Sequence, residues 1–501
     1  MALADLLDRY AVETPNKPAL IEGDRSLTYG ALRTRARALA AALQAEGVVP
    51  GARVAVLDEN TLAFPVLVGA AAYGGFTLVP VNVRLHLEEI GAILGDAGAT
   101  LAFVGGNLDW RALAAEAPEL RWIELESDSV ARMIERGAAA PMRSSSGDAL
   151  VQFATGGTTG VPKGCLVTEA NIFAQTVNFM DAIGLAAGDR YGLVMPFFHM
   201  AAGGMAIALL TLGATGVLLP RRDPEALMTA LAHHRVTRAN LPAATLRDIR
   251  ASAAFRRLPD LRWLGAGNGS ESDLLRALAN TICPDVWGWY GQTEATNITT
   301  SPRSTAEALT GFGCIGRPAL TARVRVVDER GQDVKPGEVG ELWTAGPHVM
   351  GGYWRREAET AATMSGAWLR SGDLVRQGSG GSLFIVDRLK ETIKSGGETI
   401  YPRELELILE RHPAIAEAAV IGVRHPRWGE SPRALVVLEP GVTLDADAVI
   451  AHCRAHLASF KRPTSVLFVG GLPRNIAGKV RKDVLRREWG AIDEQHKWAA
   501  E

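Results

Sequence analysis

An α/β fold assembled from several βαβ-type subdomains is what this sequence predicts, on three observations. Helix-like and strand-like segments alternate through most of the chain, which is the rhythm of parallel sheet. At 501 residues the chain exceeds what one growing core fills, so two to four units of about 150 residues each are expected. Hydrophobic residues at 47% against 22% charged are the balance of a globular chain with a sizeable core, not of a disordered or fibrous one.

The elements follow in order. Tyr29 to Glu46 reads as a helix, Arg53 to Leu57 as a strand, Leu62 to Tyr73 as a helix and Thr77 to Pro80 as a strand. The apolar stretch from Ala201 to Leu219 is punctuated by glycine and ends at Pro220, which suits a packed core better than a bilayer span. From Arg323 to Trp343 the pattern changes to short β runs, Ala322 to Val327 and Gly340 to Thr344, parted by the turn Asp328-Glu329-Arg330-Gly331, and predicts a small β subdomain. After Asp387 it changes again. A glycine turn at Gly396-Gly397, a helix from Pro402 to about Arg411, strands Glu417 to Val423 and Arg433 to Leu438, and a helix from Ala446 to His456 make a compact α+β unit. Residues 1–387 are therefore assigned to an N-terminal domain and 388–501 to a C-terminal one.

Charge and cysteine usage exclude whole classes of function. A formal net charge of -2, from 53 basic and 55 acidic residues, provides no footprint for nucleic acid or an anionic membrane. Asp5, Asp8, Arg9 and Glu13 interrupt the first apolar positions, so no signal peptide is read and a cytoplasmic enzyme without a transmembrane segment is expected. Cys165, Cys283, Cys314 and Cys453 are scattered without CxxC pairing, which argues against zinc and a disulfide framework.

The strongest chemical signal is Thr155-Gly156-Gly157-Thr158-Thr159-Gly160-Val161-Pro162-Lys163-Gly164, set between strand-like Leu150 to Phe153 and Cys165 to Val167. Glycines let backbone bend around an anion, hydroxyls donate to phosphoryl oxygens and a lysine supplies a point charge, which are the needs of a triphosphate. The spacing differs from GxxxxGK[ST], so this is no Walker loop, and a plain glycine hairpin is the bland alternative.

This loop resembles the signature of the adenylate-forming superfamily of acyl- and aryl-CoA synthetases, luciferases and peptide-synthetase adenylation domains, with Gly156 where serine is frequent. The resemblance extends over nearly the whole chain and implies a mobile C-terminal domain and the reactants ATP, Mg2+ and coenzyme A. By resemblance, Thr155, Gly156, Gly157, Thr158, Thr159, Gly160 and Lys163 hold phosphate. Phe197-Phe198-His199-Met200 resembles the aromatic-histidine pair bordering the acid and the thiol tunnel; on chemistry alone His199 reads as a structural group. Gly267 and Asn268, in Gly265-Ala266-Gly267-Asn268-Gly269, resemble the adenine-edge segment in altered order. In Tyr290-Gly291-Gln292-Thr293-Glu294 the resemblance lays Tyr290 against adenine, Thr293 on the α-phosphate and Glu294 on magnesium, a hard cation that takes oxygen anions.

Further along, Ser371-Gly372-Asp373 resembles the ribose-binding station, although an isolated Asp373 would read as an exposed loop residue. Asp387-Arg388-Leu389-Lys390 resembles the hinge, with Arg388 near the ribose and Lys390 as pivot. Lys394, Ser395, Gly396 and Gly397 resemble the segment that meets the pantetheine of coenzyme A. Leu472-Pro473-Arg474-Asn475-Ile476-Ala477-Gly478-Lys479 resembles the terminal lysine motif, with Asn475 and Ala477 replacing threonines.

The implied catalytic set is Lys479, Glu294, Thr159 and His199, and Glu294 is the metal ligand. The expected reaction activates a carboxylic acid as acyl-AMP and transfers it to coenzyme A. Phe198 is not followed by the aspartate that holds an amino-acid ammonium, and Ala201, Ala202, Gly203 and Gly204 contribute little volume, so an uncharged, largely apolar acid is expected. Transfer to a carrier protein or an amine is the alternative within enzymes. A non-catalytic nucleotide-binding homologue is the alternative outside them, disfavoured because a binder needs fewer of Lys163, Glu294, Asp373, Arg388 and Lys479.

Overall fold

The structure is a computed structural model. It describes residues 2–105, 110–117, 119–125, 128–136, 149–155, 162–221, 223–266, 272–311, 313–396, 398–474 and 479–490. The chain forms two compact units, one of residues 1–325, 343–371 and 378–384, the other of 326–342, 372–377 and 385–501. The division follows no linker: strands Arg323–Val327, Val339–Ala345, Trp368–Gln377 and Leu383–Arg388 each run from one unit into the other.

In the first unit, one sheet runs Asp285–Val286, Trp263–Ala266, Arg238–Leu241, Arg190–Leu193, Thr215–Leu218, Pro18–Glu22, Arg25–Thr28, parallel up to its closing antiparallel hairpin. A second runs Arg121–Glu124, Ala99–Val104, Arg53–Leu57, Thr77–Pro80, Ala149–Thr155, Lys163–Thr168, parallel except for the last pair. Helix Met200–Leu212 joins two strands of the first sheet while its Gly203 abuts Phe153 of the second, so it lies between them. That burial accounts for the apolar run from Ala201: a helix covered all round has no polar stripe. No described helix is long and apolar enough to cross a membrane.

Predicted boundaries hold to within a few residues where local chemistry marks them. Helix Tyr29–Ala45 begins where Thr28 accepts a hydrogen bond from Ala31 N–H, and helix Ala63–Gly74 ends at Gly75, which takes φ +69°.

In the second unit, strands Ile415–His425 and Gly429–Leu438 are longer than expected. They pair antiparallel from Ile415 opposite Leu438 to His425 opposite Gly429, and this pairing carries the second strand through Pro432. Helices Pro402–Leu409 and Ala446–His456 cover the sheet with Leu405, Leu409, Val449 and Cys453 buried against Val420 and Val436. All four cysteines are buried and unpaired.

Candidate active site

The strands that flank the phosphate-loop segment pair antiparallel. Phe153 pairs with Cys165, Thr155 with Lys163, and the Thr155 hydroxyl donates to the Lys163 carbonyl at 3.4 Å. Gly156, Gly157, Thr158, Thr159 and Gly160 lie outside the described residues, as do Gly267, Asn268 and Gly397. Gly164 has a steric reason: a Cβ there would stand 2.3 Å from Gln152 Nε2.

Strand Lys163–Thr168 is joined by a segment that sequence reasoning passed over. Gly351 N–H donates to Leu166 O (3.0 Å), Leu166 N–H to Gly352 O (2.9 Å) and Trp354 N–H to Gly164 O (2.8 Å). The same segment reaches Glu294, which lies on the short 3-10 turn Thr293–Ala295. Met350 N–H donates to the Glu294 carbonyl at 2.9 Å, and the Tyr353 hydroxyl donates to Glu294 Oε1 at 2.8 Å. Lys163 Nζ stands 5.0 Å from the centre of the Tyr353 ring. Burial, with the Glu294 carboxylate second, pushes the Tyr353 phenol far above its ordinary range, so it remains a donor at any working pH. The available signal was the pair Gly351-Gly352 ahead of Tyr353-Trp354, a place where backbone runs close to a neighbour.

The turn carrying Glu294 is tightly specified. Tyr290 N–H donates to Thr300 O and Thr299 N–H to Tyr290 O, both at 2.8 Å, while Thr296 and Asn297 take φ +44° and +79°. A Cβ on Gly291 would lie 1.2 Å from the Asn297 carbonyl oxygen, so only glycine fits. Tyr290 is mostly buried, and Gln292 Nε2 donates to Ser371 O at 2.7 Å. Asn297 links this turn to the next station: its Oδ1 accepts from Trp289 Nε1 at 3.1 Å, and its Nδ2 donates at 3.5 Å to the carbonyls of Met200 and Ala201.

His199 is the N-cap of helix Met200–Leu212, with Nδ1 accepting from Ala201 N–H at 3.1 Å. In the neutral ring this puts the proton on Nε2. The loop before it is held by Asn60, whose Nδ2 donates to Met195 O (2.7 Å) and whose Oδ1 accepts from Phe197 N–H (2.8 Å). The small residues after His199 serve packing. A Cβ on Gly203 would meet Phe197 O at 2.2 Å, and one on Gly204 would meet Met200 Sδ at 2.4 Å. Their missing volume is thus filled by the protein itself and does not open a pocket.

The second unit gathers a different set. Asp373 is only 3% exposed and lies inside strand Trp368–Gln377, where an isolated reading expected an exposed loop. Arg388 Nε pairs with Asp373 Oδ1 at 3.0 Å, and Gly372 N–H donates to Glu341 Oε1 at 3.0 Å. Lys479 is close enough to both to feel them: burial first, then Arg388, lower its pKa, against which Asp373 acts. Lys390, on the turn Leu389–Glu391, is lowered by burial and then Arg388. Ser395 pairs with Glu398, and Gly396 takes φ +59° under the Trp428 ring. Lys394 is exposed and donates to Thr399 Oγ1 at 2.9 Å.

Among the described residues no group of three or more His, Cys, Asp or Glu is assembled around a metal position. A single hard carboxylate, Glu294, beside a phosphate-loop lysine fits magnesium, which is commonly held by one or two carboxylates plus substrate phosphates.

The family described as AMP-binding enzyme matches residues 7–354, and the one described as AMP-binding enzyme C-terminal domain matches residues 404–479. Indoleacetate–CoA ligase of Aromatoleum aromaticum is 35% identical over 511 aligned positions, which cover 97% of this chain and 98% of that protein. Feruloyl-CoA synthase of an Amycolatopsis species is 35% identical over 495 positions, covering 96% and 98%. The solved o-succinylbenzoate CoA synthetase of Bacillus subtilis with its acyl-adenylate intermediate superposes at TM-score 0.87 and 27% identity, covering 97% and 98%. The same enzyme with ATP and a magnesium ion superposes at TM-score 0.85 and 27% identity, covering 95% and 98%.

Proposed function

The chain belongs to the AMP-binding enzyme family and is an AMP-forming acid–thiol ligase, and from that premise we propose how its own residues divide the work. The reaction activates a carboxylic acid with ATP and then passes the acyl group to coenzyme A. In the first step a carboxylate oxygen bonds to the α-phosphorus of ATP as the bond to the β-phosphate oxygen breaks, releasing pyrophosphate. In the second, the thiol sulfur bonds to the acyl carbon, AMP departs, and the thiol proton goes to solvent.

Two anions meet in the first step, so the protein's task is to offset their repulsion and fix their approach. We assign Lys163 and the loop Thr155 to Gly160 to the β- and γ-phosphates, Tyr290 to adenine, Thr293 to the α-phosphate, and Asp373 with Arg388 to the ribose. Glu294 would hold magnesium, which would supply positive charge to offset the phosphates. Lys479 would bring its ammonium to the carboxylate and α-phosphate. His199 would border the acid with Nε2–H. Lys394, Ser395, Gly396 and Gly397 would meet pantetheine after a rotation about Lys390, the residue at which we place the hinge between 1–387 and 388–501.

One geometric observation carries this assignment. Asp373, Arg388 and Lys479 come together within one unit: the buried aspartate pairs with Arg388 at 3.0 Å, and the exposed Lys479 lies close enough that both act on its pKa, Arg388 lowering it after burial and Asp373 opposing.

We take the acid to be uncharged and largely apolar, supported by the lack of an aspartate just after Phe198, where amino-acid-activating members carry one, and by relatives named for indoleacetate and ferulate. A panel of carboxylic acids read by pyrophosphate release, with and without coenzyme A, tests both parts. Preference for a zwitterionic amino acid would overturn the substrate class. Release of pyrophosphate without any CoA thioester would overturn the acceptor.

A further inference from the structure

We propose that Tyr353 is a positioning residue for adenylation, its hydroxyl aiming the Glu294 carboxylate and its ring seating the Lys163 ammonium. The inference rests on the roles given above to Glu294 and Lys163.

Three features of the geometry lead there. Glu294 is held at both ends by one short stretch of chain: Met350 N–H takes its carbonyl at 2.9 Å and the Tyr353 hydroxyl takes its carboxylate at 2.8 Å. That stretch has little freedom, because Tyr353 N–H donates to Thr360 Oγ1 at 2.9 Å, its backbone bridges Cys165, and Gly351, Gly352 and Trp354 are bonded to the strand that begins at Lys163. The ring, finally, has Lys163 over it at 5.0 Å and Glu294 at its hydroxyl end.

The physical need is specific. A carboxylate and an ammonium in one small space would neutralise each other in a direct ion pair, and each would then be unavailable to phosphate and metal. Among the described residues no ion pair joins Lys163 to Glu294; instead each meets the same tyrosine, Lys163 over its ring and Glu294 at its hydroxyl. It offers the ammonium the weak attraction of a π face and the carboxylate one directed hydrogen bond. Both charges stay apart, oriented and exchangeable for stronger partners when nucleotide enters. Groups that orient a metal ligand from behind carry weight comparable to the ligand, about 10- to 100-fold in affinity.

The test compares wild type, Tyr353→Phe, Tyr353→Leu, Glu294→Gln and the double variant Tyr353→Phe/Glu294→Gln. The probes are Mn2+ binding in the presence of ATP, read by electron paramagnetic resonance, and acid-dependent pyrophosphate exchange. Tyr353→Phe keeps the ring and is expected to weaken Mn2+ binding about 10-fold or more, with the KM for ATP nearly unchanged at saturating metal. Tyr353→Leu is expected to raise that KM as well, since Lys163 loses its seat. The double variant is expected to bind Mn2+ no more weakly than Glu294→Gln alone. Wild-type Mn2+ affinity in Tyr353→Phe, or fold-losses that multiply in the double variant, would overturn the proposal. A wild type without acid-dependent exchange would instead overturn the adenylation reading, while the Mn2+ comparison would still decide on Tyr353.

Discussion

His348 is expected to make the first unit lose stability as pH falls, by an amount that its environment determines. The ring is fully buried, its Nε2 lies 3.2 Å from Thr344 Oγ1, and burial alone lowers its pKa from 6.5 to about 4. Below pH 6.5 the unfolded chain takes up a proton that the folded one refuses. Stability is therefore complete above pH 6.5, falls from there to about pH 4, and levels off once the folded ring also charges. The interval between the two values corresponds to about 3 kcal/mol, and about 2 kcal/mol of it is lost by roughly pH 5. The cost falls where it matters, because Asn171 holds Pro347 O and Val349 O at 2.8 Å on either side, and the next residue, Met350, holds Glu294. His348→Gln can keep a partner for Thr344 but does not titrate. Hydrogen exchange by mass spectrometry on peptides from 343–354, at pH 7.5 and pH 5 after correction for intrinsic exchange, should report a loss in wild type that exceeds the variant's by about 2 kcal/mol. Equal losses in both would refute the assignment.

Lys479→Ala is expected to raise the adenylation barrier by about 3 kcal/mol while thioester formation from supplied acyl-adenylate survives; equal loss in both half-reactions would remove Lys479 from its role. Because burial and then Arg388 lower the Lys479 pKa, adenylation should decline on the alkaline side before an ordinary lysine titrates, and Arg388→Gln should move that limb to higher pH in a rate profile. Lys390→Pro, with φ restricted at the proposed hinge, should leave pyrophosphate exchange measurable but sharply slow CoA thioester formation, and an unaltered overall rate would sink the two-arrangement mechanism. Gly291→Ala should cost about 3 kcal/mol, since the new methyl would stand 1.2 Å from Asn297 O; the checks are the thermal midpoint and exchange rate, and wild-type values in both would contradict the turn geometry.

Much of the fold was legible in the chain because its signals are local. Thr28 before a helix, Gly75 after one and Pro402 at the start of another mark boundaries with the chemistry of a few adjacent residues, and the structure places those ends within a few positions of expectation. The strands on either side of the phosphate loop and the turn at Gly396 were readable for the same reason. Three features were not. Asp373 read as an exposed loop residue because nothing beside it announces a strand; it is buried through the pairing of distant segments. Gly203 and Gly204 read as space for a substrate, but their neighbours Phe153 and Gln175 come from elsewhere in the chain. Tyr353 went unnoticed because its meaning is relational, lying in a hydrogen bond to Glu294 and a contact with Lys163. By itself, then, the sequence determined which elements form, where they stop and which residue types stand ready for phosphate chemistry. Only the tertiary structure decided which of those residues meet, because sheet register and burial are set by contacts among segments that no local pattern connects.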